Sequence, residues 1–135
     1  MVVQIVNPAV GDALSNLLLA AAVLKRRRMT PTAWAALYAP LCSRLATLRV
    51  RDRHAIVTEC METRVAQPAG LQSAIDELVG SYTHGRAFAR PSGTEDVVRV
   101  YAEAATQAAC DELCLGVVQA VHKLAGGAGA APQRL

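Results

Sequence analysis

The sequence is poor in aromatic residues. Phe, Trp and Tyr make up 4% of its 135 residues, although 53% are hydrophobic. We therefore expect one domain's worth of aliphatic core, and the hydrophobic fraction argues against a chain that is disordered throughout. A long apolar run is also lacking. The longest, Leu17–Leu24, falls far short of the roughly 20 residues that a membrane-spanning helix needs, so the sequence predicts no transmembrane helix and no membrane partner.

The cysteines lack the spacing of a metal site. Cys110 and Cys114 are one helical turn apart, but no pair of histidines lies near them in the sequence to complete a ligand set. We expect them to be two small core residues. The N-terminus lacks the order of charged, apolar and small residues of a secretory signal. Together with four cysteines that fit free thiols, this predicts a cytosolic (cytoplasmic) protein.

The sequence also lacks a large excess of positive charge, since the net charge is only +3. Much of the excess lies in Lys25–Arg28, which could be interpreted as a nucleic-acid patch. No aromatic residues are interleaved with it to stack on bases. We favour a set of cations at the end of a helix, where they complement the helix dipole, and we predict no nucleic-acid partner.

Two helices are predicted in the first part of the chain. Asn7 and Pro8 predict the start of a helix, because asparagine is a common N-cap and proline suits the first helical position. A stripe of apolar residues follows at helical spacing. Thr30 and Pro31 repeat the signal and open a short second helix, which Pro40 ends. The stripe of the first helix consists of Val10, Leu14, Leu17, Leu18, Ala21 and Leu24. We interpret residues 1–42 as a helical connector.

Strands and helices alternate in the rest of the chain. Apolar and polar residues alternate over 44–50, as in a strand with one covered face. Residues 54–58 predict a weaker strand, whereas 59–69 show no clear period and are expected to be an irregular crossing. An amphipathic helix is predicted from Leu71 to Tyr82.

The last part of the chain predicts two strands and a helix. The strands are 86–89 and 97–103, and the helix carries an apolar face from Cys110 to Leu124 before it ends at Gly126-Gly127. This order indicates an α+β fold, an antiparallel β-sheet with helices on one face. We assign it to residues 43–127, and we expect 128–135 to be a flexible tail.

A polar turn joins the last two predicted strands. Its sequence, from residue 90 to 99, is Arg-Pro-Ser-Gly-Thr-Glu-Asp-Val-Val-Arg. We expect Gly93 to adopt backbone angles closed to other residues, so that amides turn inward around an anion. Ser92 and Thr94 add hydroxyls, while Arg90 and Arg99 can contact phosphate oxygens in bidentate fashion. The turn therefore predicts a phosphate site.

Two neighbouring carboxylates in this turn, Glu95 and Asp96, could suggest acid–base catalysis. Beside a phosphate they would repel the ligand unless they point away. We expect a structural role for them, in which they accept backbone amides or pair with Arg86 or Arg99.

The complete sequence of the turn indicates a family more specifically than its glycine alone does. Arg-Pro-Ser-Gly-Thr-Glu at 90–95, followed by Arg-Val-Tyr-Ala-Glu at 99–103, closely resembles the phosphate-binding loop in the C-terminal domain of the α-D-phosphohexomutase family. Similar stretches of that family occur in the same order at 10–13, 34–38, 68–72 and 124–127. Asp96, where most of the family has proline, resembles the branch that acts on N-acetylglucosamine phosphates.

The resemblance implies a binding role. In the enzymes that this chain resembles, a phosphoserine on the first of four domains donates its phosphoryl group to a sugar phosphate, and the fourth domain holds the phosphate that is not reacting. The match gives that role to Arg90, Ser92, Gly93, Thr94 and Arg99, and implies no catalytic residue and no metal ligand here. The implied substrates are N-acetylglucosamine 6-phosphate and its 1-phosphate isomer, on the route to UDP-N-acetylglucosamine.

Three motifs of the family are missing from the sequence. They are the Asp-x-Asp-x-Asp magnesium loop, the serine-histidine nucleophile segment and the Gly-Glu-x-Ser-Gly sugar-contact motif. The chain thus resembles a C-terminal fragment, and the resemblance implies Mg²⁺ for the full-length enzyme, no cofactor in this chain, and the remaining mutase domains as partners. Alone it is expected to be catalytically inactive. The alternative is a non-catalytic phosphate-binding or protein-interaction module that docks through its first helix.

Overall fold

The computed structural model describes residues 11–134, which divide into two compact units. One unit extends to Pro40 and the other begins at Leu41. The functional limits expected from the sequence, 1–42, 43–127 and 128–135, remain predictions.

The first unit contains a longer helix, α1 (Ala13–Arg27). Asp12 caps it by accepting a hydrogen bond from the Leu14 amide at 3.0 Å. The predicted cap at Asn7-Pro8 lies outside the described residues. Lys25, Arg26 and Arg27 occupy its last turn, so the interpretation of the basic cluster as a helix-end feature is confirmed.

The second helix, α2 (Pro31–Ala35), begins as predicted. The Thr30 hydroxyl accepts from the Ala33 amide at 3.1 Å, and Pro31 occupies the first helical position. The helix is shorter than the sequence suggests, because Leu37 and Tyr38 lie beyond its end.

The second unit is built on a three-stranded antiparallel sheet. Its strands are β1 (Cys42–Arg49), β4 (Arg86–Pro91) and β5 (Val97–Ala104), with β5 in the centre between the other two. Two helices belong to this unit, α3 (Leu71–Gly80) and α4 (Gln107–Leu124). Helix α4 packs against all three strands and α3 packs beside α4. The predicted α+β class, an antiparallel sheet with helices on one face, is confirmed.

The core lies between the sheet and α4, and it is aliphatic as expected. Alternate residues of the central strand face the helix and are fully buried: Val98, Val100, Ala102 and Ala104. Helix α4 contributes the buried side chains of Cys110, Leu113, Cys114, Val117, Val118 and Val121. The prediction that Cys110 and Cys114 are small core residues is confirmed.

A two-stranded hairpin was missed by the sequence analysis. Residues 59–69, expected to be irregular, contain the strand β3 (Arg64–Gln67), which pairs with β2 (Val57–Glu59). The predicted strand over 54–58 is wrong in its first half, because Arg53–Ala55 form a 3₁₀ turn capped by Asp52. Only Val65 of β3 is buried, so four residues carry too little periodicity to reveal a strand.

The chain after α4 returns to the sheet. Gly126 has a positive φ of 72°, which ends the helix as the sequence predicted. The Ala128 amide then donates to the Arg49 carbonyl at 2.9 Å, and the Gln119 side-chain amide donates to the Pro132 carbonyl at 2.9 Å. The mobility of 128–135 stays a prediction.

Candidate phosphate-binding site

The two arginines of the predicted site lie opposite each other on adjacent strands. Arg90 of β4 is the register partner of Arg99 of β5. Paired residues of neighbouring strands project to the same face, and here it is the face away from α4, where both side chains are exposed. The sheet therefore places both arginine side chains on one face, beside the turn that connects their strands.

The turn itself leaves backbone donors free. The Ser92 amide donates to the Val97 carbonyl at 2.9 Å, and the Val97 amide donates to the Glu95 carbonyl at 2.8 Å. The Thr94 amide is only 3.5 Å from the buried Ser92 hydroxyl, which is a marginal hydrogen bond. Among the described residues, the amide of Gly93 has no acceptor, so it is available to an anion.

Gly93 differs from expectation in its conformation. The glycines with positive φ are Gly70, Gly126 and Gly129, and a Cβ added at Gly93 would meet no atom within 4 Å. The backbone there would accept other residues without strain, so the prediction of a glycine-only bend is wrong. What glycine provides at this position is open space next to the free amide, into which a ligand can approach.

A groove runs along the exposed face of the sheet beside the arginines. It encloses about 510 Å³ and is lined by Arg90, Arg99, Phe88 and Tyr101, among other residues. The Phe88 and Tyr101 rings stack with their centroids 5.2 Å apart. The groove thus combines two cations with an aromatic floor, a combination that suits a phosphorylated ligand with an apolar ring face.

An acidic residue that the sequence analysis did not single out contacts the site. Glu62, in the turn between β2 and β3, accepts a hydrogen bond from Arg90 Nη1 at 2.9 Å. The two residues are 28 positions apart in the sequence. No local motif links them, so only the packing of the hairpin could reveal the pair.

A second cavity lies on another side of the turn. It encloses about 390 Å³ and is lined by Ser92 and Gly93 together with Arg53 and His54 of the 3₁₀ turn. Arg53 is half-buried, and within residues 11–134 it forms no ion pair. On this side the turn is therefore flanked by a cationic side chain, Arg53, that no sequence motif connects to it.

Further along the open face, three side chains form a network. The Tyr101 hydroxyl hydrogen-bonds to Glu103, and Glu103 pairs with Arg86 at 2.9 Å. The hydrogen bond from Tyr101, followed by the charge of Arg86, lowers the pKa of the Glu103 carboxyl, while the same carboxylate raises the pKa of Tyr101. Arg86 is thereby engaged by a partner outside the turn.

The predicted pairing of the turn carboxylates is therefore wrong. Arg86 pairs with Glu103, and the side chains of Glu95 and Asp96 form no ion pair with any described residue. Nor does either side chain accept a described backbone amide, so that alternative is wrong as well. Both are exposed. Their contribution to the turn comes from the backbone, since the Asp96 carbonyl accepts from the Val50 amide at 3.0 Å.

The described residues offer no magnesium site. No three His, Cys, Asp or Glu side chains between Gly11 and Arg134 cluster closely enough to hold a metal ion. The Mg²⁺ that the family resemblance implies for a full-length enzyme thus has no ligand set in this stretch.

Burial raises the pKa of the Cys114 thiol to about 11, which keeps it protonated and unreactive.

No helix in the described part of the chain combines the length and the apolar composition that crossing a membrane requires.

The second unit is thus an α+β domain in which two arginines and a free amide lie around one turn. The family described as phosphoglucomutase/phosphomannomutase, C-terminal domain, matches residues 48–120, which is more than half of the chain. This chain belongs to that family. The match includes the complete turn and both flanking strands.

The relatives of this chain have a more specific name than the family has. The phosphoacetylglucosamine mutase of Oryza sativa subsp. japonica is 51% identical over 123 residues, which cover 91% of this chain and 22% of the relative. The Homo sapiens phosphoacetylglucosamine mutase is 47% identical over 132 residues, covering 98% of this chain and 24% of the relative. The chain therefore spans less than a quarter of the length of these relatives.

Solved structures agree with the sequence comparison. The Aspergillus fumigatus N-acetylphosphoglucosamine mutase in complex with GlcNAc-6P and magnesium aligns with a TM-score of 0.84 and 45% identity, over 90% of this chain and 23% of that one. The substrate complex of an N-acetylglucosamine-phosphate mutase of the alpha-D-phosphohexomutase superfamily gives 0.77 and 43%, over 84% and 21%. The resemblance inferred from the loop motif is confirmed.

Proposed function

We propose that this chain is the substrate-phosphate-binding domain of a mutase that interconverts N-acetylglucosamine 6-phosphate and N-acetylglucosamine 1-phosphate, on the route to UDP-N-acetylglucosamine. One observation carries the proposal. Arg90 and Arg99 are register partners on the open face of the sheet, beside a turn whose Gly93 amide is free. A relative solved with GlcNAc-6P supports the choice of ligand.

Each proposed residue has a distinct task. Arg90 and Arg99 supply charge-assisted hydrogen bonds to a phosphate dianion, and the Gly93 amide supplies a neutral donor that costs no side-chain ordering. Ser92 and Thr94 contribute hydroxyl donors from the same turn. The stacked rings of Phe88 and Tyr101 offer an apolar floor beside the phosphate.

Holding the far phosphate contributes to catalysis by position. When one phosphate of a sugar is anchored, the opposite end is oriented toward a phosphoryl donor, and such positioning is a large part of phosphoryl-transfer catalysis. The chain would supply this anchoring and no reacting group. We therefore expect it to be inactive alone, with the donor serine and the magnesium supplied by the remaining mutase domains.

The affinity of this chain alone is expected to be low. Each charge-assisted bond contributes roughly 1.5–3 kcal/mol, but the phosphate loses hydration and the ligand loses freedom on binding. A dissociation constant of about 1 mM, or roughly −4 kcal/mol, is the expected order for N-acetylglucosamine 6-phosphate.

An NMR titration tests the proposal. Addition of N-acetylglucosamine 6-phosphate should shift the amide signals of residues 90–99, and Arg90→Ala or Arg99→Ala should weaken binding at least about tenfold, as expected for the loss of about 1.4 kcal/mol. Arg86→Ala is the matched control, because Arg86 lies on the same strand and face as Arg90 but four residues farther from the turn. Shifts confined to other residues, or equal weakening by Arg86→Ala, would reject the proposed site.

A cytosolic location belongs to the same proposal. All four cysteines are free thiols, as a reducing compartment would keep them. Fractionation of cells that express the protein would test the location.

A second candidate, a protein-interaction module, is favoured by α1. Its side chains Leu14, Leu17 and Leu18 are 64–71% exposed, and exposed leucines on one helix are typical of a docking surface. Sedimentation of the chain with the remaining mutase domains measures docking, and titration with N-acetylglucosamine 6-phosphate measures phosphate binding. A Leu14→Asp/Leu18→Asp variant that loses complex formation but keeps phosphate binding would assign docking to the helix.

A further inference from the structure

Glu62 is the acidic residue that holds Arg90. Its Oε2 accepts from Arg90 Nη1 at 2.9 Å, and the two side chains are about half exposed, at 54% and 44%. Among the ion pairs of the described residues, no other carboxylate contacts Arg90 or Arg99. A residue from a separate hairpin thus contacts one of the two arginines of the proposed site.

The turn that carries Glu62 has an unusual backbone. Cys60, Met61 and Glu62 have φ values of 50°, 55° and 64°, in the left-handed region that residues other than glycine seldom adopt. Thr63 stabilises the turn, because its amide and its hydroxyl both donate to the Cys60 carbonyl, at 3.3 Å and 2.7 Å. A conformation of this kind persists where surrounding contacts enforce it.

The hairpin is also fixed to α3. The Val65 amide donates to Gln72 Oε1 at 2.7 Å, and Arg64 Nη2 donates to Asp76 Oδ2 at 3.1 Å. The Gln72 side chain in turn donates to Asp76 at 2.8 Å. Because α3 packs on the core helix, Glu62 reaches Arg90 from an anchored element.

We infer that Glu62 is a positioning residue for substrate-phosphate binding: its carboxylate fixes the Arg90 guanidinium before the ligand arrives. A guanidinium carries five N–H donors. Contact through Nη1 leaves donors on Nε and Nη2 for a bidentate contact with phosphate oxygens. An arginine ordered in advance loses less conformational freedom on binding. The inference rests on the proposed function, since it names a residue that supports the same site.

The negative charge of Glu62 acts in the opposite direction, because it repels a phosphate. Two substitutions separate charge from contact. Glu62→Asp keeps the charge but is one methylene too short for the observed contact, whereas Glu62→Gln keeps the acceptor oxygen and removes the charge. Positioning predicts weaker binding for Asp and near-normal binding for Gln. Repulsion alone predicts no change for Asp and tighter binding for Gln.

The experiment is an NMR titration of the full chain with N-acetylglucosamine 6-phosphate, at about 0.15 M salt and again at about 0.5 M, where exposed charges are largely screened. We expect Glu62→Asp and Glu62→Ala to raise Kd about threefold to tenfold, the range that ordering one long side chain covers. Glu62→Gln should remain within about twofold of the parent. Glu77→Ala removes a carboxylate that is exposed on α3 and forms no described ion pair, and it should leave Kd unchanged.

A second measurement reports on Arg90 itself. Nitrogen relaxation of the Arg90 Nε–H group should show faster motion in Glu62→Asp and Glu62→Ala than in the parent, Glu62→Gln and Glu77→Ala proteins. A purely structural role would instead lower the melting temperature of the Glu62 variants without a selective effect on this group.

The outcomes separate the two hypotheses. If the parent binds at 90–99 and Arg90→Ala weakens binding, but Glu62→Asp binds like the parent, positioning by Glu62 is overturned and the phosphate site stands. Equal weakening by Gln and Asp also overturns it, because a neutral acceptor should rescue the contact. If the parent shows no shifts at 90–99, the phosphate site fails and the role of Glu62 fails with it.

Discussion

The two faces of the three-stranded sheet are made by the same strands and serve different ends. On the face toward α4, Val98, Val100 and Ala102 of the central strand have no exposed surface. On the opposite face, the intervening residues Arg99 and Tyr101 line a groove. Because side chains alternate along a strand, the buried core and the proposed binding site use separate sets of residues. Each set should therefore be open to change without the other.

The largest expected difference between the two faces is in stability, and one leucine on each face tests it. Leu113 of α4 is fully buried against the covered face, whereas Leu45 of β1 is 72% exposed on the open face. We expect Leu113→Ala to lower the free energy of unfolding by about 2–5 kcal/mol because it leaves a cavity, and Leu45→Ala to lower it by less than about 0.5 kcal/mol. Urea denaturation measures both. Similar losses for the two variants would contradict the division of the faces.

The next largest expected difference is between alanine substitutions at two glycines, one closely packed and one in open space. A Cβ at Gly85 would lie 2.6 Å from the Val79 carbonyl oxygen, whereas at Gly93 it would meet nothing within 4 Å. Gly85→Ala should therefore destabilise the fold by about 1–3 kcal/mol, and Gly93→Ala should leave its stability unchanged within about 0.5 kcal/mol. Thermal unfolding followed by circular dichroism would measure both.

Gly93→Ala should nevertheless impair binding. The added methyl group would occupy the space through which a phosphate approaches the free amide, and we expect at least about tenfold weaker binding of N-acetylglucosamine 6-phosphate, or about 1.4 kcal/mol. Titration of the folded variant checks this. Normal affinity would show that the ligand does not approach the turn at Gly93.

The smallest effect concerns pH. The Tyr101 hydrogen bond and then the charge of Arg86 hold the pKa of Glu103 below its ordinary value of 4.5. A lowered carboxyl pKa gives stability that is present above 4.5 and is lost as the pH falls through the folded-state pKa. We expect a contribution of about 1 kcal/mol or less, since the partner Arg86 is largely exposed.

Glu103→Gln tests this contribution. The variant should be slightly less stable than the parent at neutral pH and should lose less stability on acidification, as measured by urea denaturation between pH 7 and pH 3. Asp76→Asn is a useful comparison, because hydrogen bonding to Gln72 lowers the pKa of Asp76 at a site away from the open face. Parallel pH profiles for the parent and Glu103→Gln would exclude the network as a source of acid sensitivity.

Most of the fold could be predicted from the spacing of apolar residues, because most of its helices and strands bury one face. The strand over 44–50 and the helix from Leu71 have clear two-residue and helical patterns, because each buries one face. The short strand β3 buries only Val65, so its sequence carries almost no pattern. Its existence depends on pairing with β2 and on the contacts with Gln72 and Asp76, which no local signal records.

The residues of the candidate site also fall into two groups, those that local sequence predicts and those that tertiary packing brings in. Arg90 and Arg99 belong to one ten-residue stretch, so a predicted hairpin was enough to bring them together. Glu62 and Arg53 approach the same turn only through tertiary packing, and a single sequence does not encode that proximity in any motif. The predicted backbone conformation of Gly93 is wrong, because this position needs no positive φ and glycine contributes its small size instead.

The position of Arg99 in the middle strand has a consequence for fidelity. A slip of one residue between paired strands would send Arg99 and Arg90 to opposite faces of the sheet. Strand β5 is hydrogen-bonded along both edges, with Arg99 matched to Thr47 on one side and Arg90 on the other. A shift of β5 would have to break both ladders at once, so pairing with β1 helps to keep Arg99 on the same face as Arg90.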